Sequence, residues 1–410
     1  MGMQLFLKEC RQNAKSLTYL VYVCCLILFY VTQLGEVSMI TEPKPGQERY
    51  GTMPSDEESI QMECALNELF QNYEDNSYVT YPLGFYRQAA LSDEEQEYVR
   101  ETIEEVAGEK IETLEESFAM YQEEMEQKMM EGKSILELDT FSIVPDETIT
   151  YETFLEKMKV IDQMLGGSSR FSEKRIKSEA TVEMTYEQAK EEYEKIIEKD
   201  KISGAYARLF CDYFGILLAI LPVFLAVTRA VRDQRAKAFE VIASKKISTA
   251  TLVLSRYFAV TAAAITPVIV LAISPAMQTV YMAKTMGISA DLWMYGKYIG
   301  GWLLPSALFS VAAGFFFSEL AGGAAGILVM VLFWIVNLFQ SSYQLTGSVG
   351  WNVMPRFNSL GKRSVFEGIL GELIQNRIGY TIAAVLMVAA TIVIYDRKRK
   401  GRWKNGRKYH

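Results

Sequence analysis

Residues 229–256 read RAVRDQRAKAFEVIASKKISTATLVLSR, a basic amphipathic segment between two long apolar runs. The segment carries seven Lys or Arg and two acidic residues, so the positive-inside rule predicts that it lies in the cytoplasm. Apolar spacing predicts a short helix over residues 230–243. Residues 244–248 (SKKIS) then break this pattern. Ser248 can N-cap a second helix that enters the membrane near Tyr257.

Six apolar runs, counted outward from this segment, are long enough to cross a bilayer. The predicted spans are residues 17–34, 209–228, 257–274, 298–317, 320–339 and 379–395. A cleavable signal peptide is the competing interpretation of the first run. That run is longer than an ordinary signal-peptide core, and no Ala-x-Ala-like site follows it, so we expect a retained span.

Residues 35–203, between the first two spans, form an acidic insert. They contain 41 Asp or Glu and 17 Lys or Arg, whereas the rest of the chain has 9 acidic and 25 basic residues. An acidic insert in a basic frame predicts that the insert is extracellular and the other charged loops are cytoplasmic. The predicted domains are residues 1–34, 35–203, 204–395 (which includes the 229–256 segment) and the basic cytoplasmic tail 396–410.

The insert is predicted to be mostly α-helical. Helices are expected over residues 55–72, 92–107, 111–130, 151–165 and 186–199, and residues 78–85 are the one β-prone patch. Ser92 and Glu95 have the spacing of a capping box. The many carboxylates match no calcium-loop pattern and are typical of solvated helix faces, so no metal site is predicted.

Three residues within the spans are candidates for a translocation path. Asp212 lies about one turn inside the outer end of the second span, where a carboxylate faces a bundle interior, water or the interface. Pro222 and Pro267 are in the middle of spans and are expected to kink them. Gly296-x-x-x-Gly300 and the glycines of residues 322–326 predict close helix contacts.

The sequence argues against catalysis by this chain. Its single histidine is residue 410, which excludes histidine-based catalysis and histidine-ligated metal from the body of the protein. No G-x-x-x-x-G-K-[ST] motif is present. We therefore predict no directly bound cofactor, and any ATP hydrolysis must belong to a partner chain.

The assembled parts resemble the membrane subunit of type-2 ABC transporters, the exporter permease family. The resemblance rests on the span count, the outer insert and residues 231–258, and residues 355–361 (PRFNSLG) are also similar to such permeases. The predicted fold is an all-α polytopic membrane protein with six transmembrane helices and a large, mostly helical extracellular domain, an insert larger than the first outer loop of many family members. The resemblance implies an ATPase-coupling segment, whose residues here are Arg232, Asp233, Arg235, Phe239, Glu240, Ile242, Lys245 and Lys246.

The expected function is that of a non-catalytic permease in an ATP-driven exporter in the bacterial plasma membrane, with both termini cytoplasmic. The substrate is expected to be hydrophobic or amphipathic: a lipid, a drug or a peptide. Expected partners are an ABC ATPase subunit, a second permease chain in a homodimer or heterodimer, and membrane lipid, with no nucleic acid. The alternative is a membrane-anchored sensor or scaffold whose acidic extracellular domain binds a ligand.

Overall fold

The computed structural model describes residues 2–34, 40–47, 49–82, 86–130, 141–236, 241–242, 244–342 and 345–401. The chain divides into two compact units. One unit comprises Met1–Thr41 with Glu192–His410 and contains the apolar helices, so we call it the membrane unit. The other, Glu42–Glu191, is called the insert unit.

The insert unit is mostly helical, as predicted. Its helices are α3 (Glu58–Glu74), α4 (Asp93–Ala107), α5 (Ile111–Met130), α6 (Tyr151–Met164) and α7 (Glu173–Glu179). Helix α8 (Tyr186–Lys195) follows and crosses the boundary between the units, and the π-helical turn Ile196–Asp200 belongs to the membrane unit. Apolar stripes of α3, α4 and α6 bury Leu66, Phe70, Ile103 and Phe154 in one core.

Two small antiparallel sheets complete the insert unit. Strands β1 (Thr52–Pro54) and β4 (Thr181–Glu183) pair with each other, as do β2 (Tyr78–Thr80) and β3 (Arg87–Ala89). Strand β2 lies in the predicted β-prone patch. The β1–β4 pair and α7 were not predicted, because a three-residue strand or a seven-residue helix is too short for a periodic pattern.

Among the residues that the structure describes, the membrane unit contains five helices long and apolar enough to cross a membrane, with Ser203–Asp233 and Trp293–Ala321 each counted as one, together with the shorter apolar helix Ala325–Ser341. Its elements are α1 (Gly2–Ala14), α2 (Leu17–Leu34), α9 (Ser203–Leu218), α10 (Leu221–Arg235), α11 (Thr249–Thr285), α12 (Trp293–Tyr298), the π-helical turn Ile299–Leu303, α13 (Leu304–Ala321), α14 (Ala325–Ser342), strands β5 (Thr346–Ser348) and β6 (Arg356–Phe357), and α15 (Arg363–Arg399).

Two spans are much longer than predicted. Helix α11 continues through Pro267 and Pro275 to Thr285, although the prediction ended the span at residue 274. Helix α15 is a single helix of 37 residues that begins at Arg363, 16 residues before the predicted start of the last span at residue 379. Proline is tolerated in membrane helices because neighbouring groups satisfy the freed backbone carbonyls.

The second span breaks where proline predicted a kink. Residues 219–220 form a turn between α9 and α10, and Pro222 is the second residue of α10. Proline is well accommodated in a first helical turn, whose N–H groups have no partner within the helix. The candidate path residue Pro222 is therefore a helix start, whereas Pro267 lies buried within α11.

One predicted glycine contact is present. A Cβ on Gly326 of α14 would lie 2.8 Å from the Gly314 carbonyl oxygen of α13, and one on Gly314 would lie 2.7 Å from Ala226 Cβ of α10. Three helices thus meet at these glycines. No other described helix packs closely on Gly296 or Gly300: a Cβ on Gly296 would lie 4.0 Å from Trp293 of its own helix, and one on Gly300 would meet no described atom within 4 Å.

Candidate functional site

Four buried charges meet at the end of the spans that carries the 229–256 segment, which we call the basic end. We call them the basal ion cluster: Glu9 of α1, Arg229 and Asp233 of α10, and Arg256 of α11. Arg229 donates from Nε and Nη2 to the Glu9 carboxylate at 2.5 and 2.6 Å, and from Nη1 to Asp233 at 3.2 Å. Asp233 also accepts from Arg256.

The basal ion cluster is almost fully shielded from solvent. Its members are between 4% and 9% exposed, and two carboxylates balance two guanidinium groups. Removing one member of such a cluster leaves an uncompensated buried charge and costs about 3 to 5 kcal/mol. The cluster therefore fixes α1, α10 and α11 to one another at the basic end.

The last turn of α15 joins the same end. Arg399 donates to the carbonyl oxygens of Lys245 and Ile247, both at 2.6 Å. Asp396 accepts from Thr249 Oγ1 at 3.1 Å, and Lys398 pairs with Glu319 of α13 at 3.1 Å. Arg399 thus hydrogen-bonds α15 to the backbone of the chain that links α10 to α11.

The structure divides the predicted coupling residues into different environments. Arg232, Lys245 and Lys246 are exposed, as a docking surface requires. Phe239 and Glu240 lie outside the described residues, and Arg235 is described only in its backbone. Asp233 is revised: both of its oxygens pair with arginines, so it joins helices inside the unit rather than presenting a free charge.

Ile242 is half-buried against the protein's own helices. It packs on a small apolar cluster of Leu252, Val253 and Tyr395, together with Leu5 of α1. The adjacent Val241 is 61% exposed. The exposed apolar side chain at this position is therefore Val241, which the periodicity of the sequence did not single out.

Asp212, a candidate for the translocation path, is fully buried. It pairs with Arg356 at 2.9 and 3.1 Å and accepts the Phe357 backbone N–H at 2.6 Å. Two of the three outcomes allowed by the sequence, a water-filled path and the interface, do not fit its surroundings. Asp212 instead anchors β6 to α9 within the bundle.

A second buried carboxylate lies just before α9, the helix that carries Asp212. Asp200 is fully buried and pairs with Arg208 at 2.6 Å and with Arg363 at 2.5 Å. The Arg208 guanidinium lies 4.7 Å from the Phe366 ring centroid. Arg356 and Arg363 thus pair with the buried carboxylates of Asp212 and Asp200 respectively, so both charges are balanced within the membrane unit.

Sequence reasoning missed Glu9, the acid that completes the basal ion cluster. The available signal was one acidic residue on an apolar-faced N-terminal helix ahead of the first span. Within the described ranges, no group of three or more His, Cys, Asp or Glu side chains is arranged to hold a metal ion.

Comparison with known proteins identifies a family. The model of the "ABC-2 family transporter protein" family matches residues 59–359, nearly three quarters of the chain. The match begins in α3, so it includes most of the insert unit as well as α9 to α14. It gives no support to the sensor or scaffold alternative. No curated protein and no solved structure gives a significant match. The chain is a multi-pass membrane protein that belongs to the ABC-2 transporter family.

Proposed function

We propose that this chain is the permease subunit of an ATP-driven exporter, and that a separate ATPase subunit docks on residues 229–256. Membership of the family supports a transport role that uses an ATPase partner. The observation that carries the proposal is the basal ion cluster. Three of its members, Arg229, Asp233 and Arg256, lie near the two ends of the docking segment, so the cluster joins both ends to each other and to α1.

The contacts at the basic end supply a route for mechanical coupling. A partner that displaces residues 237–243 acts on both neighbouring helices. The force reaches α10 through the residues before this stretch and α11 through the residues after it. The Asp233–Arg256 pair makes these helices move together, and the Arg399 contacts include α15. Rigid elements that move as one can open a path between spans when ATP drives the partner.

The proposed arrangement includes a second permease chain, a homodimer or heterodimer, in the plasma membrane. Both termini and the 229–256 segment are placed in the cytoplasm, and the insert unit is placed outside. The charge difference between the insert and the rest of the chain supports this orientation. The proposed substrate class is hydrophobic or amphipathic, a lipid, drug or peptide, and the chain itself binds no cofactor.

The docking proposal is tested by co-purifying the chain with its ATPase and measuring substrate-stimulated ATP hydrolysis. We expect Phe239→Ala and Val241→Ala each to weaken association about tenfold or more, since truncation of an apolar anchor removes interface energy. Glu240→Lys should abolish stimulation because it reverses a docking charge. Expression of these variants should be unchanged.

Two control variants separate docking from general damage. Ser244→Ala truncates an exposed neighbour of Val241, and Glu123→Lys makes the same charge change on an exposed face of α5. Both should retain association and stimulation. Full coupling in Phe239→Ala, Val241→Ala and Glu240→Lys would refute docking on this segment.

A further inference from the structure

A groove of about 480 Å³ opens on the side of the membrane unit, between α15 and the stretch from α12 to the start of α13. We call it the lateral groove. Its volume lies within the range of about 300 to 1,000 Å³ that is typical of ligand pockets. The lining is mostly apolar and includes two cations, Lys297 and Arg377, but no carboxylate. The groove is therefore apolar with a net positive charge.

Arg377 differs from every other buried arginine that the structure describes. Each of the other five pairs with a carboxylate: Arg175, Arg208, Arg229, Arg256 and Arg356. Arg377 is 5% exposed, and its N–H groups reach only neutral acceptors, among them the carbonyl oxygens of Trp302 and Asn352. Its hydrogen bonds are satisfied while its charge is not balanced. An unbalanced buried charge favours an anion nearby.

The depth of Arg377 matches that of a lipid headgroup. Arg377 precedes Arg397, in the basic last turn of α15, by 20 residues, which corresponds to about 30 Å of helix. This length equals the thickness of the hydrocarbon core, so Arg377 lies near the opposite bilayer surface. Below it, Ile378 and Ile382 line the groove and are each 54% exposed, as expected of side chains that face acyl chains.

We propose that the lateral groove binds one anionic phospholipid of the surrounding bilayer. Its phosphate accepts hydrogen bonds from Lys297 and lies in the positive field of Arg377, and one acyl chain packs on Ile378 and Ile382. Lys297 pairs with Asp291 at 2.9 Å but is 62% exposed, so it retains donors for a phosphate. The lipid is a bound structural partner, and its binding is independent of the transported substrate and of ATPase docking.

The test is a lipid titration of the purified full-length chain in a neutral detergent, read by native mass spectrometry. The probes are phosphatidylglycerol, phosphatidylcholine with the same acyl chains, and inorganic phosphate. We expect saturable binding of one phosphatidylglycerol per chain, at least tenfold weaker binding of phosphatidylcholine, and no binding of phosphate alone. Equal affinity for the two lipids would overturn the anionic site, and phosphate binding without lipid would indicate an adventitious ion only.

Two variants locate the site on the molecule. Gly301→Leu fills the groove, and a Cβ at this position meets no described atom within 4 Å, so the fold is expected to tolerate it. It should abolish the saturable binding. Lys297→Gln removes the charged donor and should weaken phosphatidylglycerol about tenfold, the value of a hydrogen bond to a charged group.

The matched controls are Gly371→Leu and Lys284→Gln. Gly371 is a similarly open position and Lys284 is an exposed lysine of α11, and neither lines the groove. Both controls should bind phosphatidylglycerol like the unmodified chain. If Gly301→Leu and Lys297→Gln also retain full binding, the lateral groove is not the lipid site.

Discussion

The contribution of a charged residue to the stability of the membrane unit depends more on its partner in the fold than on its position in the sequence. Arg356 lies between α14 and α15 and, as a sequence feature, is a free positive charge. In the fold its guanidinium is bidentate on Asp212, a residue 144 positions earlier. Removal of either partner therefore leaves a buried charge, whereas removal of both does not.

We predict that Asp212→Asn lowers the free energy of unfolding by about 3 to 5 kcal/mol. The loss arises because Arg356 remains buried without a counter-charge and one acceptor for the Phe357 N–H is weakened. Thermal unfolding of the purified protein in detergent measures it. The double variant Asp212→Asn/Arg356→Met should recover part of the loss. Additive losses in the double variant would show that the pair is not coupled.

Glu95 in the insert unit predicts a pH effect. Its carboxylate accepts from the Ser92 backbone N–H at 2.9 Å and from Ser92 Oγ at 2.8 Å, and these hydrogen bonds lower the pKa of Glu95. A lowered folded-state pKa stabilises the fold above the unfolded value, about 4.3, and this contribution is lost as the pH falls below it.

The measurement compares the thermal stability of the unmodified chain and Glu95→Gln between pH 7 and pH 3.5. Glutamine can accept the same hydrogen bonds but does not titrate in this range. The unmodified chain should be more stable at pH 7, and the difference should shrink towards pH 3.5. A difference that stays constant with pH would mean that ionised Glu95 gives no advantage at this helix start.

At the scale of elements, the sequence predicted helices well where the end signals are local. The bounds of α4 agree within one residue, because Ser92 and Gly108 mark ends that need no distant partner. Helix α5 begins at the predicted residue 111. The prediction from sequence failed where contacts with residues far away in the chain decide whether a helix continues. Helix α15 is continuous through Asn376 and Arg377 because the carbonyl oxygens of residues 350–353 satisfy them.

The crossing of α10, α13 and α14 gives a prediction about packing. Gly326→Ala should lower the free energy of unfolding by about 1 to 3 kcal/mol, because its methyl group would press on the Gly314 carbonyl oxygen and on Val227. Thermal unfolding in detergent is the measurement. Gly371→Ala, at an open position of α15, should be neutral. An unchanged midpoint for Gly326→Ala would show that the helices separate there without cost.

At the scale of the whole molecule, the family model matches residues 59–359, so it covers most of the insert unit as well as much of the membrane unit. Within the described residues, the sequence pattern predicted a run that overlaps each apolar helix, and it set the acidic insert apart by charge. It could not locate the basal ion cluster, since Glu9 and Arg229 are 220 residues apart and neither has a motif around it. Pairings at such distances depend on the assembled bundle.

The proposed orientation predicts the pattern of cysteine labelling in a cysteine-free background. Glu115→Cys and Glu191→Cys should react with a membrane-impermeant thiol reagent in intact cells, because the insert unit is proposed to be outside. Lys245→Cys and Arg402→Cys should react only after permeabilisation. Labelling of Lys245→Cys in intact cells would contradict the proposed topology.

The basal ion cluster also constrains the order in which the chain can be assembled during synthesis. Glu9 leaves the ribosome 220 residues before Arg229, its principal partner, and Arg256 comes later still. At about 5 to 20 residues per second, the Glu9 carboxylate waits roughly 10 to 45 s before a guanidinium group is available to it. During that time α1 cannot occupy its final place without burying a lone charge. Helix α1 is therefore expected to dock only after α10 and α11 have been inserted, as a late step of biogenesis.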